Sequence, residues 1–245
     1  MARCRNTGAG LLGVAVLFQA GTAAAQDLPM DLIGNGTVSG QGVLLFLLIA
    51  AIGVAPALLI VVTCFPFIAT VLSILRHAIG LQQSPPNMLI VSLALFLTYF
   101  VMEPVFSEAW RVGLGPAVQG TLPFEDAFLK TLEPFRIFMT ARVDPETYSH
   151  LAELRAEDTL APSPTSPLSL LVPSFLLSEM TRAFEVGFMI FLPFLIIDLV
   201  VAAILMSMGM MMVPPAIVSL PFKLAFFVVA DGWTLVSAAL VRGYM

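Results

Sequence analysis

The chain has 245 residues, 59% of them hydrophobic and only 11% charged, with a formal net charge of −5; ordinary soluble domains carry about a quarter charged residues. Such a composition suits lipid or burial inside other subunits, and the lack of a basic excess excludes a nucleic-acid partner. Enzyme chemistry also finds no support, because the two histidines, His77 and His150, stand far apart in sequence and no metal-ligand cluster, carboxylate pair or nucleophile motif accompanies them. No catalytic residue, cofactor or metal is expected.

The chain begins with a processing signal. Arg3 and Arg5 form a basic start, an apolar run follows from Leu11 to Phe18, and Ala23-Ala24-Ala25 before Gln26 supplies the small-residue cleavage pattern. Cleavage between Ala25 and Gln26 is expected, which makes 1–25 a signal peptide, places the new N-terminus outside the cytoplasmic membrane and takes the net charge to −7. Cys4 leaves with the signal, so Cys64 has no intramolecular partner in the mature chain.

Residues 26–42 form a polar, Gly-rich lead-in, and 43–75 then contain no charged residue. As one helix that stretch would rise roughly 50 Å, well beyond a hydrocarbon core of about 30 Å. It must tilt, bend or break, with Pro56 and Pro66 the obvious places. A polar turn, Arg76-His77-Ala78-Ile79-Gly80-Leu81-Gln82-Gln83-Ser84-Pro85-Pro86-Asn87, leads into a second apolar element over 88–102. Residues 43–102 therefore read as a first apolar hairpin.

Residues 103–186 differ in kind: 103–185 hold 12 acidic and 6 basic residues. Phe124, Phe128, Leu132, Phe135 and Phe138 recur at helical spacing, which predicts amphipathic helix with an interruption at Pro134. Asp144-Pro145-Glu146 reads as a helix start, the aspartate capping and the proline at the first helical position. Pro162, Pro164 and Pro167 predict a stiff extended linker. Beyond Pro173 a helix resumes, with Glu179, Arg182 and Glu185 on its polar side. The acidic excess here, against the basic turn at Arg76-His77, puts 103–186 on the periplasmic side by the positive-inside tendency.

Residues 187–245 form a second apolar hairpin split at Pro214-Pro215, and up to 241 the only charges are Asp198, Lys223 and Asp231. The expected fold is an all-α membrane protein: two Pro-broken apolar hairpins, four hydrophobic elements in all, around an acidic helical region. Asp198 lies in an otherwise apolar run, a position that by default marks a working site. Its preferred role is a buried hydrogen-bond partner that locks helices together, with proton coupling as the alternative. Met210, Met211 and Met212 form an adaptable apolar surface, and composition alone leaves packing filler and pore lining equally open.

Several motifs occur in a telling order: Gly80-Leu81-Gln82-Gln83-Ser84-Pro85-Pro86-Asn87, Phe96-Leu97-Thr98, Glu179, Phe191-Leu192-Pro193-Phe194, Gly209-Met210-Met211-Met212-Val213-Pro214-Pro215, Leu220-Pro221-Phe222-Lys223 and Asp231-Gly232-Trp233. From about Val43 onward the chain resembles the FliP family of flagellar biosynthetic proteins, within the FliP/SctR group of type III secretion export-gate subunits. The signal peptide and the double proline after Val213 resemble the flagellar branch more than the virulence branch. The resemblance implies a homo-oligomer, a pentamer, winding with FliQ- and FliR-like subunits into a helical ring around a conduit for unfolded flagellar substrates. That assembly belongs to the inner membrane at the flagellar basal body, works with the other export apparatus proteins, and rides higher than hydropathy indicates. The same resemblance implies that Met210, Met211 and Met212 form a pore gasket and that Asp198, Glu179, Arg136 and Lys223 are buried or intersubunit charges. For Arg136, Glu179 and Lys223, pairs between copies, pairs within one chain and solvated faces all stay open. One departure is local: Cys64-Phe65-Pro66-Phe67 stands where the family usually has a Ser-Phe-Thr-Arg-like tetrapeptide, so no contact of that arginine carries over. A small-solute transporter would also explain Asp198, but such proteins usually have more spans and a repeated architecture.

Overall fold

A computed structural model describes residues 40–81, 85–155, 161–210 and 212–244. The predicted signal peptide, its Ala25–Gln26 cleavage point, most of the lead-in and Met211 lie outside these residues. Regular structure among the described residues is wholly helical. The chain divides into two units at Ala55 and Pro56. The first contributes the N-terminal part of α1 (Gly40–Val61), an uncharged 22-residue helix.

The second unit is a bundle built on α2 (Phe65–Ile79). Its buried side chains Ile68, Val71, Leu72, Leu75 and Ile79 recur at three- and four-residue intervals and form one continuous apolar stripe. The chain does break in the 43–75 run, at Val62–Cys64, where Thr63 Oγ1 donates to the carbonyl of Ile60 at 2.9 Å and Pro66 stands in the first turn of α2. Position 56 instead falls within α1. At the other end Gly80 adopts φ 90°, a left-handed conformation available to glycine at little cost, and its N–H donates to the carbonyl of His77.

The second apolar element is longer than expected. Helix α3 spans Asn87–Ala109 and continues through a π-helical turn, Trp110–Leu114, into the short α4, Gly115–Val118. The acidic region thus starts inside a helix. Gly113 in the π turn lies against α5 (Phe124–Arg142), where a Cβ would meet Thr131 Oγ1 at 2.1 Å and the Ala127 carbonyl oxygen at 2.8 Å.

Three further expectations need correction. Pro134 does not interrupt α5, which runs unbroken; a single missing N–H is offset by the neighbouring helices that bury Pro134 and Phe135. The proline-rich linker is not simply extended, because the Ser166 N–H donates to the Ser163 carbonyl at 3.0 Å and closes a turn. Helix α7 starts at Leu168, ahead of Pro173, and runs 40 residues to Ser207. The Asp144 start is as predicted: α6 (Pro145–Leu154) has Asp144 as its cap, accepting from the Thr147 N–H at 2.9 Å.

The change from charged to apolar composition near residue 187 therefore falls in the middle of α7. Composition there records what surrounds the helix and not where it ends. After a break at Met208–Pro214 come α8 (Pro215–Val229) and α9 (Gly232–Arg242), bent 62° apart. Asn87–Val118 and Leu168–Ser207 are each long and apolar enough to cross a membrane, and the bent α8–α9 pair qualifies as one more broken span. One core lies between α2, α3 and α7; a second, centred on Met139, Tyr148, Leu171 and Phe175, joins α5, α6 and the start of α7.

Candidate functional site

Three helices meet at Asp198. It stands mid-helix on α7, and both carboxylate oxygens face α8: Lys223 Nζ donates to Oδ2 at 2.6 Å and Ser219 Oγ donates to Oδ1 at 2.5 Å. Ser219 and Lys223 are four apart, one turn of α8, so they share a face. The lysine also donates to the Ala78 carbonyl at 3.1 Å, in the last turn of α2, where the helix dipole favours a cation. The Lys223 side chain is only 7% exposed and the Asp198 side chain 34%. The cluster bonds α2, α7 and α8 through one charge pair. Both carboxylate oxygens are engaged by side chains of α8.

Glu179, predicted on a polar face, is fully buried. Its Oε1 lies 3.6 Å from both Arg142 Nε on α5 and Arg182 NH1 one turn further along α7. Its Oε2 accepts from the hydroxyl of Tyr244, beyond the end of α9. Arg142 sits 3.9 Å above the Tyr244 ring and donates to the Gly243 carbonyl at 2.8 Å. Two arginines and one tyrosine hydroxyl thus surround the buried carboxylate.

Among the described residues Arg136 makes a backbone clamp and no ion pair. Its guanidinium donates to the carbonyls of Ser166 at 2.8 Å and Pro164 at 3.1 Å, fixing the proline turn on α5. Of the four charges singled out in the sequence, Asp198 and Lys223 come together, whereas Glu179 and Arg136 stand in separate clusters. Ser219, Arg142 and Tyr244 were not foreseen. Ser219 had a signal, its one-turn spacing from Lys223; Arg142 and Tyr244 are 102 positions apart and had none.

The chain turns at Gly209 as α7 ends. Gly209 takes φ 76°, its N–H donates to the Met206 carbonyl and the Met210 N–H to that of Leu205, closing α7 with a Schellman motif. Met210 folds back to line an apolar groove of about 500 Å³ with Leu205, Met208 and Phe222. Met212 is 98% exposed, and Pro214-Pro215 then start α8. Met211 is outside the described residues.

Comparison with known proteins decides the family. Residues 48–240 match the FliP family, which is most of the chain. The chain belongs to the FliP family. The flagellar biosynthetic protein FliP of Rhizobium meliloti is 42% identical over 237 residues, covering 95% of this chain and 97% of its own length. FliP of Agrobacterium fabrum is 43% identical over 241 residues, covering 96% and 98%, and FliP of Bacillus subtilis is 44% identical over 203 residues, covering 82% and 90%. The matched FliP segment contains every charged residue of these clusters, while Gly243 and Tyr244 lie beyond it.

Proposed function

We propose that this FliP-family chain is a core subunit of the flagellar type III protein export gate, forming with copies of itself the conduit through which unfolded flagellar subunits leave the cell. The carrying observation is the FliP match over residues 48–240, around a 40-residue apolar helix that ends in a turn at Gly209. In this reading residues 1–25 are a cleaved signal, the mature N-terminus is periplasmic, 43–102 and 187–245 insert into the inner membrane, and 103–186 faces the periplasm. The partners are a pentamer of this chain, FliQ- and FliR-like subunits and the wider export apparatus at the basal body. No enzymatic step belongs to it.

Exposed apolar side chains support an assembled state. Leu195, Ile196, Leu199, Val200 and Ile204 cover α7, far more apolar surface than a lone soluble subunit leaves open. In a ring, Met210, Met211 and Met212 of successive copies would form an apolar constriction that excludes ions when empty and yields to a passing chain. Replacing all three with Gly, in cells with substrate export blocked, should raise small-ion conductance while native-size complexes persist. Unchanged leakage in a fully assembled variant would remove the gasket assignment; absence of a multi-subunit complex at native size would remove the export-gate reading itself.

A further inference from the structure

We propose that Tyr244 is the positioning residue of the pair formed by buried Glu179 and half-buried Arg142, acting through its hydroxyl on the carboxylate and through its ring on the guanidinium. The observation is a mismatch. Two opposite charges in a closed site would ordinarily meet in a charge-assisted bond of about 2.8 Å, yet Arg142 Nε and Glu179 Oε1 stand 3.6 Å apart and neither atom has a hydrogen-bond partner. The cause lies in the segment after α9. It engages the arginine twice, by the Gly243 carbonyl at 2.8 Å and by the Tyr244 ring at 3.9 Å, and so draws the guanidinium away from the carboxylate. It also engages the carboxylate, since the Tyr244 hydroxyl donates to Oε2. One side chain sets both partners.

The ring is itself held. Phe67 of α2 meets it edge-on at 5.5 Å between centroids and Phe138 of α5 stacks on it at 6.2 Å. Tyr244 thereby ties α2, α5 and α7 to the end of α9 at the edge of the first core. A carboxylate buried to this extent needs a full set of donors, and a buried charge left short of one is costly. The tyrosine supplies the donor that the displaced arginine does not. This role stands independently of the export reading, because it concerns how one chain holds its own helices.

The test is a double-mutant cycle on the full chain in mild detergent, read as the unfolding equilibrium in a mixed-micelle titration. Tyr244→Phe keeps the ring and removes the hydroxyl, and the loss of a hydrogen bond to a charged group should lower the folding constant about tenfold or more. In a Glu179→Gln background the same change should cost less than about threefold, since a neutral amide no longer depends on that donor. Tyr244→Leu, which also removes the aromatic face under Arg142, should be worse than Tyr244→Phe in either background. An equal penalty for Tyr244→Phe with and without the Glu179 carboxylate would overturn the proposal and leave the tyrosine as packing alone; so would no penalty at all. Should Tyr244→Phe fail to accumulate, recovery in the Glu179→Gln background supports the assignment and failure in both overturns it.

Discussion

The two halves of α7 live in different surroundings although they form one helix. From Leu171 the N-terminal half buries Phe175, Glu179, Ala183 and Gly187, one residue every four positions, and this ridge packs against α2, α5 and α6. The C-terminal half buries only Phe194, Val201 and Leu205, and leaves Leu195, Ile196, Leu199, Val200 and Ile204 exposed. In the first half one ridge is packed within the chain, although Leu177 and Phe184 stay exposed. In the second, apolar surface is in excess and the monomer's main directional tether is the Asp198–Lys223–Ser219 cluster. Hydrophobicity therefore tracks intrachain burial poorly here, because the more apolar half is the less buried one.

Breaking that tether should have the largest effect on the C-terminal half. Asp198→Ala leaves Lys223 nearly buried without its counter-ion, and removal of one partner of a buried pair costs about 3–5 kcal/mol, with the lower end expected since Asp198 is partly exposed. Asp198→Asn keeps an acceptor for Ser219 and should be milder. Unfolding in detergent together with the yield of native-size complex measures both. If the two variants assemble like the parent yet stop export as proton coupling is lost, Asp198 is a proton-transfer group and not a lock.

Packing deletions sharpen the contrast between the halves. Phe175→Ala removes a fully buried ring and should cost about 3–5 kcal/mol in the isolated chain. Leu199→Ala, on an exposed position of the other half, should cost under about 0.5 kcal/mol there. Its penalty should surface only in the yield of assembled complex. A comparable loss in the isolated chain for both variants would erase the distinction. Between these lies Gly187, where α7 crosses α2: an added Cβ would stand 2.4 Å from Ile74 Cδ1. Because the obstructing atom is the end of a flexible side chain, Gly187→Ala should cost only about 1 kcal/mol, and Ile74→Val should relieve part of it.

Residue patterns made some of this legible and left the rest hidden. The apolar class, the cap at Asp144, the break before Pro66 and the turn at Gly209 follow from local chemistry, in which the deciding residues are neighbours. Asp198 and Lys223 stood out as opposite charges in one apolar stretch, and Ser219 shares a helix face with the lysine. The errors arose where composition was taken for element boundaries. Pro134 and Pro173 stay within helices, and the shift near 187 marks a change of environment along one helix. Glu179 reads as a polar-face residue because its local sequence includes Arg182 and Glu185; its burial depends on Arg142 and Tyr244, which reach it only through the tertiary fold. No spacing rule connects those three.

The smallest expected effect is confined to the N-terminal half of α7 through α6, which packs on it. The Thr147 N–H, then its hydroxyl, donates to the Asp144 carboxylate, and these bonds hold that carboxyl below its usual range. A depressed folded-state value means that the stabilisation is present above the unfolded value, about 3.9, and disappears as pH falls through the lower folded value. The α6 cap should therefore weaken only below about pH 4. Amide exchange at Thr147 and Tyr148, corrected for intrinsic rates, should quicken in that window while the amides of the α7 C-terminal half keep their protection. Asp144→Asn retains a capping oxygen without the titration, so its α6 exchange should be flat across the same range. Quickening of equal size in Asp144→Asn would assign the acid sensitivity to another carboxylate, and simultaneous quickening along the whole of α7 would show that its two halves open as one unit.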